Sequence, residues 1–508
     1  MSVATSSTSL HAAVPEAVVF RHENVLGTSM ELRVRADSPE SPRRAEARIL
    51  GEMDRLARIF STYDSSSEFS RWQQTAGQPA KVSGELFAVL SLADAWREAS
   101  GGAFHPAVES LTRVWKDAAK KGALPLDGEL DPARQRAAAR AWSLDAAGRT
   151  ATRLGSAPLT LDAIAKGWIL EHAGGLAVKE IPGIRSLLLN VGGDLRHWGD
   201  VEERIDVAHP AADAENAPPY TTIRIRNEAL ATSGGYRRNF KIGGKSYSHI
   251  IDPRSGQPAS AVAGASVVAS DGATADALAT ILNLVDPAGM PSLNARLLGI
   301  DWLVIRSDGT AIRSPKWATR ESPASPVQPV LAASKGATRW PDAYRLKVDF
   351  ELNRPEGGRY ARPYVALWVE DAEGFPVRTL LLWLLQGDKG LRWLPDLRRW
   401  HRSDQMRSLV DARNLVSTVS AATRPPGKYS AVWDGKDDQG QFVKPGRYTV
   451  YLEASREHGT YQLMRHDLEV GAKSSRVDLK GNIEIKSATL DFGPRASGEA
   501  GVQPSLAR

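Results

Sequence analysis

Residues 228–258 read EALATSGGYRRNFKIGGKSYSHIIDPRSGQP, and the reading of this stretch organises the rest of the chain. It brings together a hydroxyl-glycine turn (Thr232, Ser233, Gly234, Gly235), two adjacent arginines (Arg237, Arg238) and His249 ahead of an Asp252-Pro253 turn. Glycine lets backbone approach a ligand closely, successive N–H groups in such a turn receive phosphate oxygens, and arginine adds a planar cation for the same anion. The composite points to an anion site with a titratable base beside it. The same residues also read as a plain hairpin, with strands at 240–242 and 247–251 around a Gly243-Gly244 turn. Taken alone, the stretch leaves both readings open.

Working outward, 508 residues exceed one ordinary core and predict two or more domains. A formal charge of +6 suits an anionic ligand, but basic and acidic residues are interspersed, which argues against nucleic acid as a partner. The absence of cysteine removes disulfides and thiolate metal sites. The opening MSVATSSTSLHAAVP lacks a basic region followed by an apolar one, so no leader is read in it. No run of about eighteen apolar residues occurs, so no membrane span is expected.

In chain order, residues 1–17 read as a disordered N-terminus and 18–34 as two short strands around Gly27-Thr28. Ile49, Leu50, Met53, Leu56 and Phe60 recur at helical spacing, and that helix should stop at FSTYDSSSEF, leaving Tyr63 just beyond its end. A second helix (Leu86, Val89, Leu90, Ala93, Trp96) ends at Gly101-Gly102, and AFHP follows as a turn. Residues 160–180, TLDAIAKGWILEHAGGLAVKE, read as a helix with Lys166 in its first two turns. A lysine beside a helix N-terminus strengthens an anion site, although most lysines are simply solvated. An apolar strand at 187–191 opens into Gly192-Gly193 and Asp194, without the following helix that a dinucleotide fingerprint requires.

A buried strand at 261–269 precedes a helix at 273–285. Leu278, Ile281, Leu282 and Val285 form its core face, while Asp276, Thr280 and Asn283 share another. A carboxylate and a hydroxyl one turn apart offer two hard oxygens to Mg²⁺; the alternative is a polar helix face with no ion. Prolines mark 316–339 as a linker. Beyond it, Tyr344, Leu346, Val348, Phe350 and Leu352 alternate with charged residues, and further strand runs at 364–369, 379–385 and 448–454 predict an all-β sandwich domain over 340–470. WDGKDDQG reads as a hairpin turn, and 471–508 as a loose tail.

With these pieces in place, FSTYDSSSEFSRW, GGAFHP, DAIAKGW, NVGGDLR, ATSGGYRR, YSHIIDPRSGQP and ADALAT stand in the order of the ApbE-like FAD:protein FMN transferases, which the chain resembles over about residues 18–315. The resemblance implies an α/β (α+β) flavin transferase domain that uses FAD as substrate and Mg²⁺ as cofactor. It also implies transfer of FMN to a Thr or Ser hydroxyl of an acceptor protein, with release of AMP. An FAD-binding carrier and an FAD pyrophosphatase are the alternatives. The matching positions imply Asp276, Thr280 and the Ala163 carbonyl as metal ligands, Tyr63, Ala103, Phe104, His105, Thr160, Lys166 and Ile250 as FAD contacts, and His249 as the catalytic base. His105, Thr160 and Gly235 stand where the family usually has Asp.

The second domain, through YVALWVEDAEGFPVRTLLLW, SAATRPPGKYSAVWDGKDDQG and GRYTVYLEASREHG, resembles an uncharacterised periplasmic-type β-sandwich family. That likeness implies a periplasmic or cell-envelope location. Within it VSTVSAATR parallels the acceptor motif of flavinylated proteins, which makes Thr423 a candidate acceptor in the chain itself.

Overall fold

The structure is a computed structural model that describes residues 15–75, 77–210, 214–235, 239–286, 293, 296–322, 344–354, 361–385, 388–411, 414–457, 459–471 and 473–494. The chain divides into two compact units, one of Met1–Pro210 with Thr221–Pro323, the other of Ala211–Tyr220 with Ala324–Arg508. The Pro-rich linker expected at 316–339 lies, from residue 323 on, outside the described residues.

The first unit opens with a hairpin, β1 (Val18–Val25) and β2 (Thr28–Ala36), and continues through α1 (Ser41–Phe60), α2 (Glu68–Gln73), β3 (Pro79–Lys81) and α3 (Gly84–Ala99). Next come α4 (Glu109–Lys121), α5 (Asp127–Ala138) and the small hairpin β4 (Trp142–Asp145) and β5 (Thr150–Arg153). Then follow α6 (Ala165–Glu180), β6 (Ile184–Val191), β7 (Asp194–Gly199), β8 (Glu203–Val207), β9 (Thr221–Ile225) and β10 (Ala229–Gly234). The unit ends with β11 (Asn239–Ile242), β12 (Lys245–Ser248), β13 (Val262–Ala269), α7 (Gly272–Ile281), β14 (Asp301–Arg306), β15 (Ala311–Arg313) and a short helix, Trp317–Arg320.

Eight of these strands make one sheet in the order β1-β2-β6-β7-β10-β13-β14-β15, and every pairing in it is antiparallel. Because side chains alternate across a strand, one face of the sheet presents Leu187, Leu189, Val191, Ala229, Ala231, Ala265 and Val267 to the helices. Ile49, Met53 and Leu56 of α1, Trp168, Leu170 and Ala173 of α6, and Ala275, Leu278 and Ala279 of α7 fill the layer above them. Small residues on α7 and on the middle strands keep that helix close to the sheet. The start of α6 thereby meets the first residue of β7 through Lys166 and Asp194, and the end of β10 meets the C-terminal part of α7 through Ser233 and Thr280.

The second unit holds two sheets. β16 (Tyr344–Leu352), β17 (Tyr364–Asp371), β18 (Pro376–Trp383), β19 (Ser420–Ala421), β20 (Gly427–Trp433), β21 (Gly446–Ser455), β22 (Tyr461–Val470), β23 (Ser475–Lys480) and β24 (Ile485–Pro494) pair in the orders β20-β16-β24-β23 and β19-β18-β17-β21-β22. Leu346, Val348 and Phe350 of one sheet share a core with Val365, Leu367 and Val369 of the other. The free edge of β20 is met by Asn216, whose side-chain amide donates to the Val432 carbonyl at 2.8 Å and accepts from the Val432 N–H at 2.9 Å.

Two expectations are corrected here. The supposed loose tail at 471–508 contains β23 and β24, and β24 lies between β16 and β23 with Ile485, Leu490 and Phe492 buried. Its apolar alternation is broken by a bulge, where Glu351 pairs with Ser487 but Leu352 with Ile485. Thr423, the candidate acceptor, is 3% exposed just beyond β19. An acceptor hydroxyl must reach a phosphorus atom on another molecule, and this one is packed away. A helix the sequence did not reveal, Arg398–Ser408, covers the outer face of the five-stranded sheet through Trp400. Glu453 of β21 accepts the Arg399 and Trp400 N–H groups at its start (2.9 and 2.8 Å).

Candidate active site

The site is built where α6 and α7 cross. A Cβ on Gly167 would lie 2.1 Å from the Gly272 carbonyl oxygen, and one on Gly272 would lie 2.3 Å from the Gly167 oxygen, so only glycine at both positions permits this approach. The crossing delivers Asp276 to the first turn of α6, whose N-cap residue Ile164 supplies no side-chain cap. Gly167 is the third residue of α6, so its N–H has no acceptor within the helix, and it donates to Asp276 Oδ2 at 3.1 Å. Asp276 therefore caps a helix other than its own, and the first turn of α6 places Ala163, Lys166 and Asp276 together.

Asp276 is 4% exposed, and its carboxyl is pushed up to about 7. Burial is the leading cause, the nearby Asp194 carboxylate the second, while Lys166 and the Gly167 N–H pull the other way. The Lys166 ammonium forms an ion pair with Asp194, itself buried, and Asp194 also accepts the Thr232 N–H at 3.4 Å. One turn along α7, the Thr280 hydroxyl meets the Ser233 hydroxyl at 3.3 Å. Asn283 donates its amide N–H groups to the Ser233 and Ala279 carbonyls (3.1 and 2.8 Å). The end of β10 is thus latched to α7 at two points. Among the described residues, no group of three or more His, Asp or Glu side chains converges as a metal site, so a cation held here draws on mixed donors.

A second line of contacts joins three loops. Tyr63 is 86% exposed, with its hydroxyl donating to Asp162 at 3.4 Å. The Asp162 N–H donates to the Thr160 hydroxyl at 3.2 Å, and the Thr160 N–H to the Pro106 carbonyl at 2.9 Å. Ala103, Phe104 and His105 are buried on the same loop as Pro106. His105 Nδ1 accepts the Ala107 N–H at 3.0 Å, which puts the ring proton on Nε2. That Nε2 is buried and has no hydrogen-bond partner among the described residues. Burial first, then the Arg97 charge, holds the His105 pKa down to about 4, so the ring is neutral near pH 7.

His249 is half-buried and directly follows β12; Ile250 after it is buried and donates its N–H to the Ser248 hydroxyl at 3.1 Å. A Cβ on Gly235 would come within 2.7 Å of Ser248 Oγ. Glycine there lets the turn after β10 press against the hairpin that carries His249, and an aspartate would not fit this arrangement. The hairpin reading of the stretch agrees with β11 and β12. Arg237 and Arg238 lie outside the described residues. The structure therefore brings the start of α6, with Lys166, against Asp276, sets Thr280 one turn along α7, and links Tyr63, Thr160 and the His105 loop through hydrogen bonds. Sequence reasoning left Asp194 and Asp162 without roles, and read Ser233 only as part of an anion-binding turn. The signal for Asp194 was its place right after Gly192-Gly193, where the strand turns back toward the helices.

Residues 26–304 match the model of the ApbE family, and residues 345–487 match a family described as predicted periplasmic protein (DUF2271). The fold and site thus define a two-part protein, an α+β catalytic-type unit joined to a largely β one. The chain belongs to the ApbE family. A protein of Vibrio cholerae named FAD:protein FMN transferase is 31% identical over 272 residues, which cover 51% of this chain and 80% of that one. One of the same name from Treponema pallidum is 29% identical over 309 residues, 57% of this chain and 84% of its own. Among solved structures, the ApbE protein of Thermotoga maritima superposes with a TM-score of 0.53 at 26% identity, over 61% of this chain and all of that one.

Proposed function

We propose that this chain is a Mg²⁺-dependent FAD:protein FMN transferase, which moves FMN from FAD onto a Thr or Ser hydroxyl of an acceptor protein and releases AMP. The observation that carries the reading is the buried, charge-disfavoured Asp276 carboxylate, one turn from Thr280 on α7 and bonded to the first turn of α6. A carboxylate, a hydroxyl and the Ala163 carbonyl are hard oxygens that fit Mg²⁺. A bound Mg²⁺ supplies charge neutralisation at the pyrophosphate oxygens. The relatives' name, FAD:protein FMN transferase, supports FMN transfer from FAD to protein.

The remaining work falls to the chain's own residues. His249 takes the proton from the acceptor hydroxyl as its oxygen attacks the phosphorus on the FMN side of the pyrophosphate. The bond from that phosphorus to the bridging oxygen breaks, and AMP leaves with that oxygen. The Lys166 ammonium offsets the charge that builds on the leaving phosphate. The exposed Tyr63 ring offers a stacking surface for the flavin, and the neutral His105 contributes to the FAD cradle.

Incubation with FAD, Mg²⁺ and a threonine-containing acceptor tests the reading. Covalent FMN on the acceptor with equimolar AMP is expected. Free FMN and AMP would replace transfer with pyrophosphate hydrolysis, and unchanged FAD would leave a flavin carrier. The family of the second unit supports a periplasmic or cell-envelope setting, and no described helix is long and apolar enough to cross a membrane. Fractionation of cells making the full natural protein checks the location.

A further inference from the structure

We propose that Asp194 is a positioning residue for this reaction, fixing the Lys166 ammonium at the mouth of the site so that it meets the phosphate side of the ligand already oriented. The inference rests on the transferase reading above. Lysine carries its charge on a flexible stem, and rotamer entropy opposes holding it still. Lys166 keeps 30% of its side chain exposed, whereas Asp194 keeps 7%, so solvent competes for the ammonium and the aspartate is the fixed partner.

Asp194 is fixed for three reasons on different elements. It is the first residue of β7, directly after Gly192 and Gly193, which adopt φ of 66° and 102° and turn the chain back on itself. A Cβ on Gly192 would lie 2.7 Å from Thr28 Cγ2, so the turn has no room to drift toward β2. Its other oxygen accepts the Thr232 N–H of β10. The same carboxylate disfavours charge on Asp276, so two buried acids lie near one ammonium, which pairs with Asp194. That local excess of negative charge draws a cation to the Asp276 side while the lysine remains committed to the Asp194 side. Asp194 thereby divides the site into a cation side and an ammonium side.

A double-mutant cycle on the full chain tests this. Asp194→Asn keeps the shape and the acceptor for the Thr232 N–H but removes the charge that holds Lys166. It is expected to weaken FAD binding in EDTA by about tenfold, the worth of one charge-assisted contact. Lys166→Met should do the same, and the double variant should bind no worse than Lys166→Met alone, because Asp194 acts through the lysine. Binding is read from quenching of flavin fluorescence, with thermal melting in parallel. Effects that multiply to about a hundredfold would overturn the proposal, as would an Asp194→Asn protein that melts earlier yet binds FAD normally. If Asp194→Asn does not fold, Asp194→Glu is the second variant: it keeps the charge on a longer arm and should show an intermediate loss, and wild-type binding would equally overturn the idea. Wild-type protein that fails to bind FAD would sink the transferase reading instead, which separates the two failures.

Discussion

Asp276 answers two needs with one side chain: it satisfies an N–H at the start of α6 and holds a carboxylate where burial makes its charge costly. Such a group is stabilised by a cation, so Asp276→Ala should lower FMN transfer by about 10³-fold or more, the several kcal/mol a metal contributes to charge at phosphate. FAD affinity measured in EDTA should stay within about tenfold of wild type. Retained activity with unchanged Mg²⁺ dependence would move the site elsewhere. His249→Ala should slow transfer by roughly 10²- to 10⁴-fold if the ring is the general base. A loss well under tenfold would reduce it to a binding residue. His105 makes a prediction in pH. Its pKa falls from the ordinary 6.5 to about 4, so the folded state binds its proton less readily than the unfolded chain does. The neutral ring's full contribution is present above pH 6.5 and is lost progressively as the pH drops through 6.5 toward 4, amounting to on the order of 3 kcal/mol. Urea unfolding at pH 7 and at pH 4.5 should therefore show a larger loss for wild type than for His105→Phe. Equal losses would mean that His105 is readily protonated in the fold.

At the scale of elements, the site depends on a helix crossing that neither helix signals alone. Gly167→Ala would push a methyl into the Gly272 carbonyl and toward Asp276 Cβ, 2.9 Å away. Overpacking of this kind costs about 1–3 kcal/mol, and backbone relief would drag Asp276 off the first turn of α6. Gly51, exposed in the middle of α1 with nothing within 4 Å of the place a methyl would take, is the control. Gly51→Ala should leave stability unchanged or raise it by up to about 1 kcal/mol, whereas Gly167→Ala should melt earlier and transfer FMN more slowly. Equal melting temperatures for the two would dissolve the crossing argument. This contrast also marks what the sequence made legible. Periodicity placed α1, α3 and α7, the Gly243-Gly244 turn placed the hairpin of β11 and β12, and the sequence reads α6 from residue 160 although it starts at Ala165; each follows a local pattern. The shared face of Asp276 and Thr280 followed from helical spacing in the same way. The pairing of Asp194 with Lys166, and the contact of Ser233 with Thr280, joins residues far apart in the chain, and nothing local announces it. The helix Arg398–Ser408 was also hidden, since RRWHRSDQMRS is mostly polar and is held by Trp400 and the capping Glu453 of a distant strand.

For the whole molecule, the hardest segment to read was the last. The sequence after residue 470 shows weak apolar alternation because a bulge shifts the phase between Ile485 and Ser487 and because one inward position is only Ala488. Yet β24 is an inner strand of its sheet, paired along its length with β16 on one side and β23 on the other. Ile485, Ala488, Leu490 and Phe492 enter the core shared by both sheets of the second unit. At about 1.5–3 kcal/mol for each large side chain, their burial contributes on the order of 5–8 kcal/mol, comparable to the whole stability of a typical domain at about 5–15 kcal/mol. A protein ending at Val470 should thus lose the cooperative unfolding transition of its β unit and bind a dye for exposed apolar surface at room temperature. A protein ending at Pro494 keeps both strands and should melt as the full chain does. Calorimetry of the two truncations decides the matter: a β-unit transition that survives removal of residues 471–508 would show that β23 and β24 are peripheral after all, and would return that segment to the loose tail its sequence suggests.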